Sequence, residues 1–123
     1  MRDARVAISV SGQSGLTRFI KLPPVEEKKI PDIVKSYEMS IHGKGLVQSG
    51  LVVSATCTDC HTAHHPHTAE HEDSTVHDDN IAATCGTCHH GIEEIFTTSV
   101  HWPENTDTDR ELPTCEDCHS SHT

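Results

Sequence analysis

The chain has 123 residues, six cysteines, twelve histidines, two Phe, one Tyr and one Trp, and a formal net charge of −10. A chain this short, with few large apolar residues, buries too little apolar surface to build a conventional core. Residues 1–44 carry eight of the nine Lys and Arg, whereas residues 45–123 carry one Arg against fourteen acids, a net of −13. This argues against nucleic acid and anionic membrane as partners of the second part, since both require Lys and Arg clusters. A basic partner surface and a simply solvated acidic surface both remain open.

The first 35 residues are predicted to form an N-terminal arm or linker, and residues 36–123 the functional module. Weak apolar alternation in residues 1–22 predicts a small β-hairpin or an irregular arm, which Pro23-Pro24 ends. A short helix is then expected from Pro31 to Ile41, because its apolar residues recur at spacings of three and four. Gly43 and Gly45 are expected to end this helix.

Three C-x-x-C-H pentapeptides contain every cysteine of the chain. This pattern is the signature of covalent c-type haem attachment, in which two thiols form thioethers and the following histidine binds the iron. Because all three cysteine pairs are followed by histidine, a zinc ribbon or a thioredoxin-like site is disfavoured. We therefore expect three haem c groups, attached through Cys57, Cys60, Cys85, Cys88, Cys115 and Cys118 and bound through His61, His89 and His119.

Around the motifs the sequence predicts mostly irregular structure with a few short α-helices and almost no sheet. Residues 62–80 and the acidic stretch 103–113 are expected to be loops, and residues 91–96 a short helix continuing towards His101. The three haems themselves would serve as the core around which this chain folds. Pairing of the cysteines as disulfides, or a zinc-binding interaction module, is the competing interpretation and predicts a colourless protein.

The second axial position of each iron is filled by Met, by His, or left open for a substrate. Two methionines cannot supply three haems, whereas nine further histidines are present. One set of candidates repeats once before each motif, in a hydroxyl, β-branched, His pattern: His42, His77 and His101. A second set follows a proximal histidine by three residues, too close to reach the same iron but able to reach a neighbouring haem: His64 and His122. The others are expected to be solvent-exposed or to support ligands through hydrogen bonds: His65, His67, His71 and His90.

Residues 37–122 resemble the periplasmic and extracellular multihaem c-type cytochromes of bacteria and archaea that respire with metals, sulfur or nitrogen compounds. The segments that carry the resemblance are Ser40-Ile41-His42-Gly43-Lys44-Gly45-Leu46, Thr56–His61 with His64, Val76–His89, Ser99-Val100-His101 and Pro113–His119 with His122. The resemblance implies bis-His haems and electron transport, with the flanking histidines as distal ligands. Trp102 departs from the glycine that often follows Ser-Val-His, and residues 1–30 have no such resemblance.

These features predict an electron-transfer protein rather than an enzyme: a triheme cytochrome, or a triheme module of a larger one. No catalytic constellation accompanies the motifs. Its expected partners are redox proteins, either other multihaem cytochromes or a terminal reductase, and assembly into a larger haem relay is conceivable. The alternative is a haem-bearing module of an oxidoreductase acting on nitrogen or sulfur compounds, which would have one open haem.

Haem attachment of this type takes place outside the bacterial cytoplasm, so a periplasmic or extracellular location is expected. No apolar run has the length of a transmembrane helix, and the first 21 residues lack a convincing signal-peptide core. The signal is therefore expected to have been removed, or to lie upstream in a longer cytochrome.

Overall fold

A computed structural model of the chain describes residues 25–119 and 122. The hairpin or arm predicted for residues 1–22 lies outside the described residues. Five α-helices are present in the described part, with single 3₁₀ turns at Glu27–Lys29 and Pro103–Asn105. The helices are α1 (Ile30–Met39), α2 (Ile41–Val47), α3 (Cys57–His61), α4 (Asp78–Thr97) and α5 (Cys115–His119).

Helices α1 and α2 meet at a corner made by Ser40. This buried residue adopts an extended conformation, its Oγ accepts a hydrogen bond from the Gly43 amide at 3.1 Å, and the same hydroxyl donates to the Tyr37 carbonyl at 2.6 Å. Ser40 thus ends one helix and caps the next. The prediction that Gly43 and Gly45 end the helix is wrong, because α1 already ends at Met39 and both glycines lie within α2.

Helix α4 is the longest element and contains the second C-x-x-C-H motif in its interior. It begins after His77, at Asp78 and Asp79, whose carboxylates suit the positive end of a helix. Its backbone departs from helical geometry only at His89, with φ −104° and ψ 42°. The predicted short helix over residues 91–96 is the second half of α4, beyond this kink.

Apolar side chains are poorly covered throughout the described residues. Only Ile81 and Ala82 form a buried apolar core, and no large side chain there is fully buried. Large apolar residues are exposed instead, among them Met39, Ile41, Val47, Leu51, Val52, Val53, Ile92, Ile95 and Val100. The described residues therefore supply little of the apolar burial that normally stabilises a domain. None of the described helices is long and apolar enough to cross a bilayer.

Candidate haem-binding sites

All three C-x-x-C-H motifs adopt the same local form, a turn of α-helix, and in the first two the regular geometry stops at the histidine. Helices α3 and α5 consist of the motif alone and end at His61 and His119, while α4 kinks at His89. In a helical turn, side chains three and four residues apart share a face. The two thiols and the histidine of each motif are therefore brought to one side of one short segment.

A Thr–Asp pair stabilises the beginning of the first and third motif helices. The Asp59 carboxylate accepts hydrogen bonds from the Thr56 amide and the Thr56 hydroxyl, both at 2.7 Å. Asp117 accepts from the Thr114 amide at 2.6 Å and its hydroxyl at 3.0 Å, and these bonds lower the pKa of Asp117. Each carboxylate thereby satisfies an amide at a helix start, as in a capping box. The second motif needs no such cap, because α4 already continues through it.

The three motifs lie close to one another. Burial, the neighbouring thiol of Cys115 and, less strongly, that of Cys60 raise the pKa of Cys85 to about 11. Burial, followed by the charges of Asp59 and other thiols including Cys88, also raises the pKa of Cys60. All six cysteines are free thiols. Because thiols of different motifs approach one another, groups attached to them would be close neighbours.

Two of the three motif histidines lie near a second imidazole ring. The centroids of His61 and His122 lie 5.9 Å apart with ring planes at 35°, and those of His42 and His89 lie 6.1 Å apart with planes at 41°. Two imidazoles on opposite sides of one iron, each with a metal–nitrogen bond of about 2 Å, would have ring centroids about 6 Å apart. Both pairs therefore have the spacing of axial ligands to a common iron.

The surroundings of His61 favour the protonation state that a metal ligand requires. Burial, reinforced by the nearby His122, lowers the pKa of His61 and favours the neutral imidazole. Its Nδ1 is buried without a hydrogen-bond partner. An unpaired buried nitrogen costs about 1–3 kcal/mol.

The remaining candidate histidines are not opposed to a proximal ring. His77 caps α4, with its Nδ1 accepting from the Asp79 amide at 3.3 Å, and His101 lies against Phe96 at a centroid distance of 6.5 Å. His64 and His119 are exposed. Among the histidines expected not to be ligands, His67 stacks on His71 at 4.1 Å, His90 lies near Glu93 and Glu94 at 3.6 and 3.5 Å, and His65 is exposed.

The upstream histidines lie in or next to a turn that occurs three times in the described residues. For one of these turns, the sequence pattern predicts a register that differs from the structure by one residue. In each turn a serine amide donates to the carbonyl of a ring-bearing residue three positions earlier: Ser40 to Tyr37 at 2.9 Å, Ser74 to His71 at 2.8 Å and Ser99 to Phe96 at 3.0 Å. We call these segments the serine turns: residues 37–42, 71–76 and 96–101. The residue two places after the serine is His42, Val76 and His101, respectively, so His77 lies one position too late.

Two of these turns are followed by an asparagine whose side chain links two backbone carbonyls, which we call an asparagine bridge. The sequence pattern did not predict it. Asn80 Nδ2 donates to the Glu72 and Ser74 carbonyls, both at 2.8 Å. Asn105 Nδ2 repeats this with Thr97 and Ser99, at 2.8 and 3.0 Å. In the sequence this bridge corresponds to the pattern Ser-x₅-Asn, which occurs twice, 25 residues apart. When the two patterns are aligned, Trp102 occupies the position of His77.

Side-chain hydrogen bonds connect the first serine turn to the first motif. Ser54 Oγ donates to the His42 carbonyl at 2.7 Å, and Tyr37 Oη donates to the Ala55 carbonyl at 2.8 Å. The Thr75 hydroxyl in the second turn donates to the Cys60 carbonyl. The backbone that carries His42 is thereby tied to the segment leading into Cys57.

The three motifs offer free thiols, and two of them offer a pair of neighbouring imidazoles. Thiols and paired imidazoles are the groups that c-type attachment and bis-His ligation require. Within residues 25–119 and 122, no three His, Cys, Asp or Glu side chains converge on one point. Comparison of the chain with protein-family models, with curated proteins and with solved structures gave no match. The assignment therefore depends on the residues themselves.

Proposed function

We propose that the protein transfers electrons as a triheme c-type cytochrome, alone or as a module of a larger one. The observation that carries this proposal is the spacing of the pairs His61–His122 and His42–His89, each of which includes the histidine of a C-x-x-C-H motif. Two histidines that lie near each other by chance would not be expected to show this spacing in two separate pairs, each with the histidine of a motif.

Bis-His ligation determines what such haems do. An iron with six ligands, four from the macrocycle and two imidazoles, favours electron transfer over substrate chemistry and has a low reduction potential. The proximity of Cys85 to the thiols of Cys115 and Cys60 supports closely spaced macrocycles. Short distances between them favour electron hopping along the three haems.

The poorly covered apolar surface supports the same proposal. Among the described residues, only Ile81 and Ala82 form a buried apolar core and many large apolar side chains are exposed. This part of the chain therefore has surface that flat apolar groups would cover. Each haem would bury apolar surface of the chain, and each Å² of apolar surface buried would stabilise the folded protein by about 25 cal/mol. Haem attachment and folding are then a single process.

Partners and location follow from charge and chemistry. One Arg and fourteen acids in residues 45–123 favour a redox partner with a basic docking face. Covalent haem attachment favours a periplasmic or extracellular location.

Intact mass and absorption spectroscopy test the proposal. The full chain is produced together with cytochrome c maturation machinery, and a mass increase of three haems with a low-spin spectrum is expected. Matched variants replace both cysteines of one motif by alanine, and each should remove one haem. Retention of six free thiols and a colourless protein would contradict the proposal, as would binding of zinc through the same cysteines.

A further inference from the structure

We infer that the haem-free chain forms a disulfide between Cys85 of the second motif and Cys115 of the third, and that this bond blocks haem attachment at both motifs together. The oxidant is a small-molecule disulfide. The bond itself follows from the contacts of the two thiols, whereas its effect on attachment rests on the proposed function.

The two thiols are in contact. A hydrogen bond joins the side chains of Cys85 and Cys115, and the helices that carry them, α4 and α5, approach each other. Both thiols are free and half-buried. Sulfur atoms in hydrogen-bond contact have to approach by only about 1–2 Å more to reach the S–S bond length of about 2 Å. A disulfide therefore requires small side-chain movements and no rearrangement of the helices.

Local structure holds Cys85 in place. The beginning of α4 contains the two buried apolar residues of the described chain, Ile81 and Ala82. One residue before Cys85, the Thr84 hydroxyl donates to the Thr75 carbonyl at 2.6 Å. Cys85 thus lies on a part of α4 that packing and a hydrogen bond already fix.

The segment that carries Cys115 is fixed at its start. The Asp117 carboxylate accepts hydrogen bonds from the Thr114 amide and hydroxyl, and Cys115 is the first residue of the helix that follows. Cys115 lies thirty positions after Cys85. In an unfolded chain, loop-closure entropy would favour the short loops between the two cysteines of one motif. A bond between Cys85 and Cys115 would therefore report the folded arrangement.

The reaction is thiol–disulfide exchange. Burial, followed by the charge of Cys115, raises the pKa of Cys85 to about 11, so Cys85 is rarely a thiolate at neutral pH. The Cys115 thiolate therefore attacks first, forming a mixed disulfide and releasing one small thiol. Cys85 then attacks the Cys115 sulfur and releases the second. Two protein thiols are oxidised to one disulfide, and the small disulfide is reduced to two thiols that carry the two protons.

The bond would remove one thiol from each of two motifs. Haem attachment at a C-x-x-C-H motif uses both of its cysteines, so neither the second nor the third haem could be attached in full until the bond is reduced. Cys57 and Cys60 of the first motif would remain available. In an oxidising compartment, the chain would therefore carry one haem until a reductant acts.

Disulfide mapping of the haem-free chain tests the bond. The full chain is produced without cytochrome c maturation machinery, treated with one equivalent of 2-hydroxyethyl disulfide and alkylated with N-ethylmaleimide. This probe is neutral, because the acidic surface repels anions. Proteolysis and mass spectrometry should find Cys85–Cys115 as the main crosslink. Its yield should fall at least about fivefold in guanidinium chloride, where pairs within one motif should replace it.

Two serine variants control the mapping. Cys115→Ser should abolish the crosslink, whereas Cys57→Ser, which removes a thiol of the first motif, should leave its yield unchanged. Pairs within one motif that predominate under native conditions would overturn the inference. A crosslink pattern that guanidinium chloride does not change would also overturn it, because the folded arrangement would then have no part in the pairing.

Partly loaded protein tests the effect on attachment. Chains produced with maturation machinery, with 2-hydroxyethyl disulfide in the medium, should carry three haems or one. The single haem should lie at Cys57 and Cys60, in a chain lighter by two hydrogens. Two haems as the main partial product would overturn the effect on attachment. Three haems without the crosslink in the haem-free chain would overturn the inference but leave the proposed function intact, whereas the crosslink without any haem attachment would contradict the proposed function.

Discussion

The imidazole of His122, near the C-terminus, lies 5.9 Å from that of His61, with which the first motif ends. His122 follows His119, the histidine of the third motif, by three residues, so under the proposed ligation one short segment would carry ligands for two different irons. Any movement of that segment would disturb the first and third haems together. The pair therefore gives a direct test of the proposed ligation.

Replacing His122 by alanine should convert the first haem from six-coordinate to five-coordinate. About a third of the haem would become high-spin, and the reduction potential of that haem should rise by on the order of 0.1 V, because a strong ligand of ferric iron is lost. Electron paramagnetic resonance and potentiometric titration would detect both changes. His65→Ala, which removes an exposed histidine, is the matched control, and identical spectra for the two variants would contradict the pairing.

The sequence predicts which cysteines and histidines would attach and bind haem, because attachment chemistry requires a local pattern. It does not identify the pairing of His42 with His89, since this depends on how distant segments pack. It also assigned His77 to the same position as His42, because both follow a hydroxyl and a β-branched residue. The register is set by backbone hydrogen bonds from Ser74, which residue identity alone does not reveal.

Ser54 is expected to hold His42 in place for the second haem. Its hydroxyl donates to the His42 carbonyl at 2.7 Å, so Ser54→Ala should lower the free energy of unfolding by about 1 kcal/mol. The distal ligand would then be held less firmly, and CO should bind the reduced second haem faster. Stopped-flow CO binding and urea denaturation measure these effects. Ser49→Ala, at an exposed residue, is the control; equal effects from both serines would rule out a specific role for Ser54.

The asparagine bridges should differ in their contribution to stability. Asn80→Asp and Asn105→Asp each replace an amide that donates to two carbonyls with a carboxylate that cannot donate. Loss of two hydrogen bonds at the half-buried Asn80 should cost about 1–2 kcal/mol, and at the exposed Asn105 less, because water replaces the lost partners. Urea denaturation of the haem-loaded variants compares them. A larger loss at Asn105 would mean that the exposed turn carries an interaction beyond these hydrogen bonds.

Gly43 is required where α1 and α2 meet. A Cβ at this position would clash with the Tyr37 carbonyl oxygen and lie 2.7 Å from the Glu38 Cα. Because these are backbone atoms, the neighbouring helix would have to shift, and Gly43→Ala should destabilise the protein by about 1–3 kcal/mol. The shift would also displace the adjacent His42, so part of the second haem should become high-spin. Gly91→Ala is the matched control: its Cβ would meet nothing within 4 Å, and alanine in a helix should stabilise by about 0.5–1 kcal/mol. In urea denaturation, the two Gly→Ala substitutions are therefore expected to change the free energy of unfolding in opposite directions. A stabilising Gly43→Ala would show that the Ser40 corner is not packed as described.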